Sequence, residues 1–296
     1  FDPDPEAARK IGDVMTNADH AVGRLTMAPL PPRGEMHFAA SIAAAVTGAE
    51  LIIEAVPERL DVKQAVYAEI EAAAAMDAVI SSSTSGILPS DLQAKMQHPE
   101  RLLVGHPFNP VYLLPLVELV GGRATDPATI DRAAGFFAGL GMHPLPIHKE
   151  IEAFVADRFL EAVWREALWL VKDGIATTAE IDDAIRYGFG LRWAQMGLFE
   201  TYRVAGGEAG MAHFIAQFGP CLKWPWTKLM DVPELTDELV KTISDQSDAQ
   251  SGQHSIRELE RIRDDNLVAI LQALKANDWG AGQTVANWEK SLYDAV

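Results

Sequence analysis

The sequence predicts an α/β Rossmann-type fold, a parallel sheet with helices on both faces, over residues 1–148, followed by an all-α domain over 149–296. Three observations predict it. Short apolar runs alternate with helix-length segments as far as residue 148, the pattern of a sheet built by crossovers. Beyond that point the 3.6-residue period takes over and no convincing strand remains. At 296 residues the chain is long enough for two units, each with its own core.

The elements follow in order. Residues 5–25 read as a helix, with Ile11, Val14, Met15, Ala18, Val22 and Leu25 on one face, and a Pro-rich loop from Pro29 to Arg33 follows. Leu51 to Val56 is a buried strand, Asp61 to Ala75 a helix, and Ala78 to Ser81 a second strand. That strand enters the hydroxyl cluster Ser81-Ser82-Ser83-Thr84-Ser85-Gly86, and Pro89-Ser90-Asp91 has the chemistry of a helix start. N-capping and turn formation by themselves account for two of those hydroxyls. Leu102 to Gly105 is another strand, and Pro127 to Leu140 a helix. In the second half, Phe154 to Val171, Ala179 to Tyr187 and Ser255 to Lys275 are helical.

Composition narrows the function. The net charge is −17 and no Lys/Arg stripe is present, which argues against nucleic acid. A negative field suits a cationic substrate, although most acidic excess is solvated surface. Cys221 is the single cysteine, so an internal disulfide is excluded and a reducing, cytoplasmic setting is expected. No apolar run reaches the roughly 20 residues that span a bilayer, so no membrane partner is expected. No metal is expected either.

Two residues carry the chemistry. His106 closes the apolar run Leu103-Val104-Gly105, and Glu118 stands twelve residues later inside Leu116-Val117-Glu118-Leu119-Val120. A carboxylate in an apolar strand needs a partner, and a histidine on the neighbouring strand supplies one. A His–carboxylate pair is general-base equipment. The alternatives are a loop histidine and a solvent-facing glutamate on an edge strand.

At the start, Phe1-Asp2-Pro3 reads as the end of a strand carrying an acidic residue, the position that holds the adenosine ribose of NAD in dinucleotide-binding folds. No G-x-G-x-x-G turn precedes it, so the first β-α unit of the fold, roughly 25 to 30 residues, is expected to be absent from this sequence. The alternative is a disordered terminal aspartate.

Taken together, these residues resemble the 3-hydroxyacyl-CoA dehydrogenase superfamily over almost the whole chain. Ser85 in the hydroxyl-rich turn, His106 in His106-Pro107-Phe108-Asn109-Pro110 21 residues later, and Glu118 twelve residues after that reproduce that family's motif and spacings. The resemblance implies an NAD-dependent dehydrogenase acting on a secondary alcohol, with His106, Glu118 and Ser85 catalytic. It implies that Asp2, Glu58, Lys63, Ser85 and Asn109 line the cofactor, and that the helical half makes a homodimer. One departure stands out: the acyl-CoA enzymes carry an Asn where this chain has Asp157, before Arg158. An ionised Asp cannot donate a hydrogen bond to a substrate oxygen, so Asp157 faces either a cation or Arg158.

Within the superfamily, Thr26 to Pro32, Val56 to Leu60, His106 to Pro115 and Glu150 to Arg158 resemble the branch whose small-molecule substrate is L-carnitine. Gly188-Phe189-Gly190-Leu191-Arg192-Trp193-Ala194 is a pattern shared with the L-gulonate branch. A quaternary ammonium needs aromatic faces, for which Tyr187, Phe189 and Trp193 are candidates, and a carboxylate suits Arg192. Core packing is the competing reading of those aromatics, and a helix-bridging role that of Arg192. L-gulonate and a 3-hydroxyacyl-CoA are the rival substrates. A non-catalytic protein that keeps the fold is the rival class.

Overall fold

The computed structural model describes residues 1–295 except 207–209, 229–233, 235, 240, 243–244 and 246–252. Five strands form one sheet in the order β1-β2-β3-β4-β5: β1 Leu51–Glu54, β2 Val79–Ser82, β3 Leu102–Pro107, β4 Leu116–Gly121 and β5 His143–Ile147. Strands β1, β2 and β3 run parallel, β4 is antiparallel to β3, and β5 is parallel to β4.

The apolar runs are continuous because both faces of the sheet are covered. Ile52, Ile80, Leu102, Val104 and Val120 face one way, joined by Tyr67 and Ile70 of the helix Leu60–Glu71, by Leu92 and by Phe154. Val79, Leu103, Val117 and Leu119 face the other way, against Ala133 and Phe137 of the helix Pro127–Gly139. Successive residues of one strand thus enter different cores, as a two-residue period requires.

The chain forms two compact units: Phe1–Asp157 together with Arg261–Val296, and Arg158–Glu260. This differs from a helical half over 149–296. The helix Ala7–Leu25 places Ala21 and Leu25 against Val268 and Leu271 of the helix Ile256–Ala276 and Val285 of the helix Ala281–Asp294. The amphipathic first helix buries its apolar stripe on the last two, so these return to the first unit. The second unit holds most of the helix Ala156–Lys172, with Thr178–Ala184, a π-helical turn Ile185–Phe189, Gly190–Ala205 and Gly210–Phe218. Among the described residues no helix is long and apolar enough to cross a membrane.

Residues 1–6 form no strand. Asp2 is exposed, and its carboxylate accepts the Asp4 N–H at 2.8 Å in a local turn. Among the described residues the first segment has no neighbouring strand to complete its backbone bonding, and a lone extended segment is not a strand.

Candidate active site

The antiparallel turn of β4 builds the centre of the site, because it sets His106 and Glu118 directly opposite each other across the β3–β4 ladder. Opposed residues bring their Cβ atoms to about 5 Å, within reach of a hydrogen bond between the side chains. His106 Nδ1 and Glu118 Oε2 are 3.0 Å apart. The Glu118 side chain is fully buried and that of His106 is 7% exposed. The other oxygen, Glu118 Oε1, accepts the backbone N–H groups of Val155 and Ala156, each at 3.0 Å. Burial pushes the Glu118 carboxyl up. The bonds from His106, Ala156 and Val155 outweigh it and hold the group below its ordinary value. An ionised carboxylate only accepts, so Nδ1 donates to it, and in the neutral ring Nε2 is then the accepting nitrogen.

The backbone is bent to make this possible. Ala153 and Phe154 both lie in the left-handed region, with φ of 58° and 50°. Non-glycine residues there cost on the order of 1 kcal/mol or more each. The bend turns the next two amides onto Glu118 and buries the Phe154 ring 5.6 Å from the imidazole; Phe108 meets the imidazole edge-on at 5.0 Å. On the side of Nε2, Asp157 Oδ2 lies 3.7 Å away.

The carboxyl ends of β1 and β2 supply a second group of polar residues, at the edge where open α/β sheets bind ligands. Glu54 is buried and accepts Lys63 Nζ at 2.8 Å, the Tyr67 hydroxyl at 2.5 Å and Ser82 Oγ at 2.7 Å. Lys63, expected along the cofactor, is therefore enclosed, its side chain 1% exposed with a further bond to the Val56 carbonyl at 3.1 Å. A buried ammonium must be paired, and Glu54 provides the pair. Lys63 still lies 3.4 Å from the half-exposed Glu58.

Glu58 accepts the Thr84 hydroxyl, the Ser85 N–H at 3.1 Å and the Gly86 N–H at 3.2 Å. Its burial raises the carboxyl, but Thr84, Lys63 and Gly86 bring it below its usual value. Glu58 thus fixes the turn on which Ser85 stands exposed. A Cβ added to Gly86 would lie 3.8 Å from Ala153 N, so this turn abuts the strained segment beside Glu118. Asn109, also exposed, follows the end of β3 and precedes a cis peptide bond to Pro110. An ionised, half-exposed carboxylate beside an exposed hydroxyl at this edge fits the ribose hydroxyls and carboxamide of NAD.

The structure brings Glu58 and Ser85 together, and His106 and Glu118. Asp2 lies in its own turn at the start of the chain. Tyr187, Phe189, Arg192 and Trp193 all belong to the second unit. There the Phe189 and Trp193 rings lie 4.7 Å apart, tilted at 58°, Tyr187 and Arg192 are exposed, and Phe189 lines an apolar cavity of about 380 Å³ with Val163, Leu170 and Ile181. Sequence reasoning missed Glu54, Tyr67 and Thr84, and the role of the Val155 and Ala156 amides. A glutamate ending an apolar strand, Ile52-Ile53-Glu54, was a usable signal for the first.

Known proteins resemble this chain in sequence and fold. Residues 6–151 match the family model described as 3-hydroxyacyl-CoA dehydrogenase, NAD binding domain, and residues 154–242 that described as 3-hydroxyacyl-CoA dehydrogenase, C-terminal domain. An "L-carnitine dehydrogenase/betainyl-CoA thioesterase" of Rhizobium meliloti is 65% identical over 99% of this chain, which spans 60% of that protein's length. An "L-carnitine dehydrogenase" of Mesorhizobium japonicum is 62% identical, with 99% of this chain and 82% of that protein covered. Among solved structures, the NAD+-dependent dismutase 5-formyl-3-hydroxy-2-methylpyridine 4-carboxylic acid 5-dehydrogenase aligns with a TM-score of 0.77 and 27% identity, over 92% of this chain and 88% of that one.

Proposed function

The chain belongs to the 3-hydroxyacyl-CoA dehydrogenase family, and from that we infer that it oxidises the C3 hydroxyl of L-carnitine to the ketone, with NAD as cofactor. The observation that carries the chemistry is the buried Glu118–His106 pair, which leaves an imidazole nitrogen able to accept a proton. The relatives' names supply the substrate.

In the oxidative direction, His106 Nε2 takes the proton of the C3 hydroxyl. Glu118 holds the tautomer in which Nε2 accepts, and it stabilises the imidazolium that forms. Bound NAD would supply the hydride acceptor for C3. Ser85 would bond the substrate oxygen, and Ser85, Glu58 and Asn109 would hold the nicotinamide end of the cofactor. Phe108 and Phe154 keep the imidazole in apolar surroundings, where the ion pair created by proton transfer is stronger than in water. Within the helical unit, Arg192 has the chemistry to pair with a carboxylate, and Phe189, Trp193 and Tyr187 have faces that suit a trimethylammonium.

The test is NADH formation by the full chain with L-carnitine, D-carnitine, L-gulonate and a 3-hydroxyacyl-CoA in parallel. Turnover with L-carnitine is expected to exceed the other three by at least about 10²-fold, the discrimination a pocket reaches on shape alone, with more where polar groups are left unpaired. A preference for gulonate or the thioester would reassign the substrate, and silence with all four would remove the activity.

We further infer a homodimer through the helical unit. Phe159, Leu160 and Trp164 of one helix are each more than half exposed, as are Leu191 and Phe199. Large apolar side chains grouped on a surface mark an interaction site. Sedimentation equilibrium is expected to give twice the protomer mass, and a single-protomer mass at micromolar concentration would contradict the dimer.

A further inference from the structure

The mechanism above gives no role to Asp157, although Asp157 Oδ2 lies 3.7 Å from His106 Nε2, the nitrogen that takes the substrate proton. An acid in the first turn of the helix Ala156–Lys172 interacts favourably with the helix dipole. Any outward-pointing acid would do the same. This side chain is instead 23% exposed and set at the reacting edge of the imidazole, which Phe108 and Phe154 flank.

We propose that Asp157 is the countercharge for a quaternary ammonium on the carbon next to the reacting alcohol, and so the residue that selects a cationic 3-hydroxy acid over neutral and anionic ones. The inference rests on the carnitine reading. An alcohol oxygen bonded to Nε2 lies about 3 Å from it, on the side where the carboxylate stands. A substituent on the adjacent carbon is three bonds from that oxygen, which puts it in range of Oδ2. A quaternary ammonium has no N–H, so only charge and polarisable faces can hold it. Aromatic rings supply faces without net charge. A carboxylate that is mostly shielded from water supplies the charge. The same carboxylate repels a substrate bearing a carboxylate or phosphate at that place.

The experiment compares wild type with the near-isosteric D157N on L-carnitine and on its neutral isostere, in which carbon replaces the quaternary nitrogen. Calorimetric binding of 4-trimethylammoniobutanoate, which has no C3 hydroxyl to oxidise, runs alongside. D157N is expected to lower kcat/KM for L-carnitine by about 10- to 100-fold, less than the roughly 10³-fold of a full charge contact at 4 Å and a dielectric near 20, because the carboxylate is partly exposed. Activity on the neutral isostere should be unchanged or higher, and the butanoate should bind more weakly by a similar factor. D157E, which keeps the charge, should recover part of the loss. An equal loss on both substrates would overturn the proposal, because it would make Asp157 a support for the imidazole or the helix. If wild type bound the butanoate through Asp157 yet oxidised no carnitine, the carnitine reading would fail and the cation site would stand. Absence of butanoate binding to a wild type that still turns over L-carnitine would overturn the cation site and leave the carnitine reading standing.

Discussion

Replacing His106 by Ala is expected to lower kcat for L-carnitine oxidation by about 10²- to 10⁴-fold, the range that general-base catalysis supplies. The size follows from the position of the ring. It is 7% exposed, held at Nδ1 by Glu118, and bordered by Phe108 and Phe154. Water entering the vacated space is a weaker base and is held less rigidly. The side chain of His106 is not a partner of the Glu58–Thr84–Ser85 turn, so NADH affinity, read by fluorescence titration, should stay close to wild type. Near-normal turnover in H106A would remove His106 as the base. Parallel loss of turnover and NADH binding would make it structural.

Glu118→Gln is expected to approach the same loss by another route. Glu118 Oε1 accepts two backbone N–H groups, from Val155 and Ala156. In the variant only the amide oxygen can serve them, so the NH₂ must face Nδ1. Nδ1 then becomes an acceptor, the ring proton moves to Nε2, and the base is in the wrong tautomer. In a Ser-His-Asp triad, that inversion costs on the order of 10⁴ in kcat. Steady-state kinetics with thermal melts separate tautomer from folding, since Gln keeps both backbone bonds, and E118Q should fold and melt only modestly below wild type at neutral pH. Glu118→Ala orphans both amides and leaves a hole, and should lose several kcal/mol on the scale of a broken buried pair.

The same carboxylate sets a pH dependence. Its folded pKa is lowered, with the upward push of burial exceeded by the bonds it accepts. A lowered carboxyl pKa stabilises the fold above the unfolded value of about 4.3 and loses that contribution as pH falls through the folded value. The wild-type melting temperature should fall more steeply than that of E118Q as pH drops below about 4. Coincident slopes would mean that Glu118 is not tied down as described.

Much of the site was legible in the sequence because its chemistry is local. The twelve-residue spacing of His106 and Glu118 is that of two consecutive strands, and β3 and β4 do lie side by side with these two residues opposed. The direction of β4 was not legible, because an apolar run records burial and not polarity along the chain. Strand β5 hid behind Pro144 and Pro146, residues that argue against a central strand and are tolerated at an edge, where β5 sits. The return of the last two helices to the first unit was equally hidden, since periodicity identifies an apolar face without naming its partner. The resemblance sets Lys63 along the cofactor, and its enclosure beside Glu54 has no signal in the sequence. Only the Glu54–Tyr67–Ser82 cluster makes its burial tolerable. The left-handed pair Ala153-Phe154 carries no glycine to announce it, yet it places both amides on Glu118 and leads directly into Asp157.

The central claim, that a hydride leaves C3 of L-carnitine for NAD under the control of His106, is tested most directly with L-carnitine deuterated at C3. The full chain, NAD and this substrate should yield NADH carrying the deuterium at the nicotinamide, identified by mass spectrometry. The initial rate should collapse in H106A while the label still goes to the same carbon. NADH formed without deuterium, or no NADH from wild type, would contradict the account.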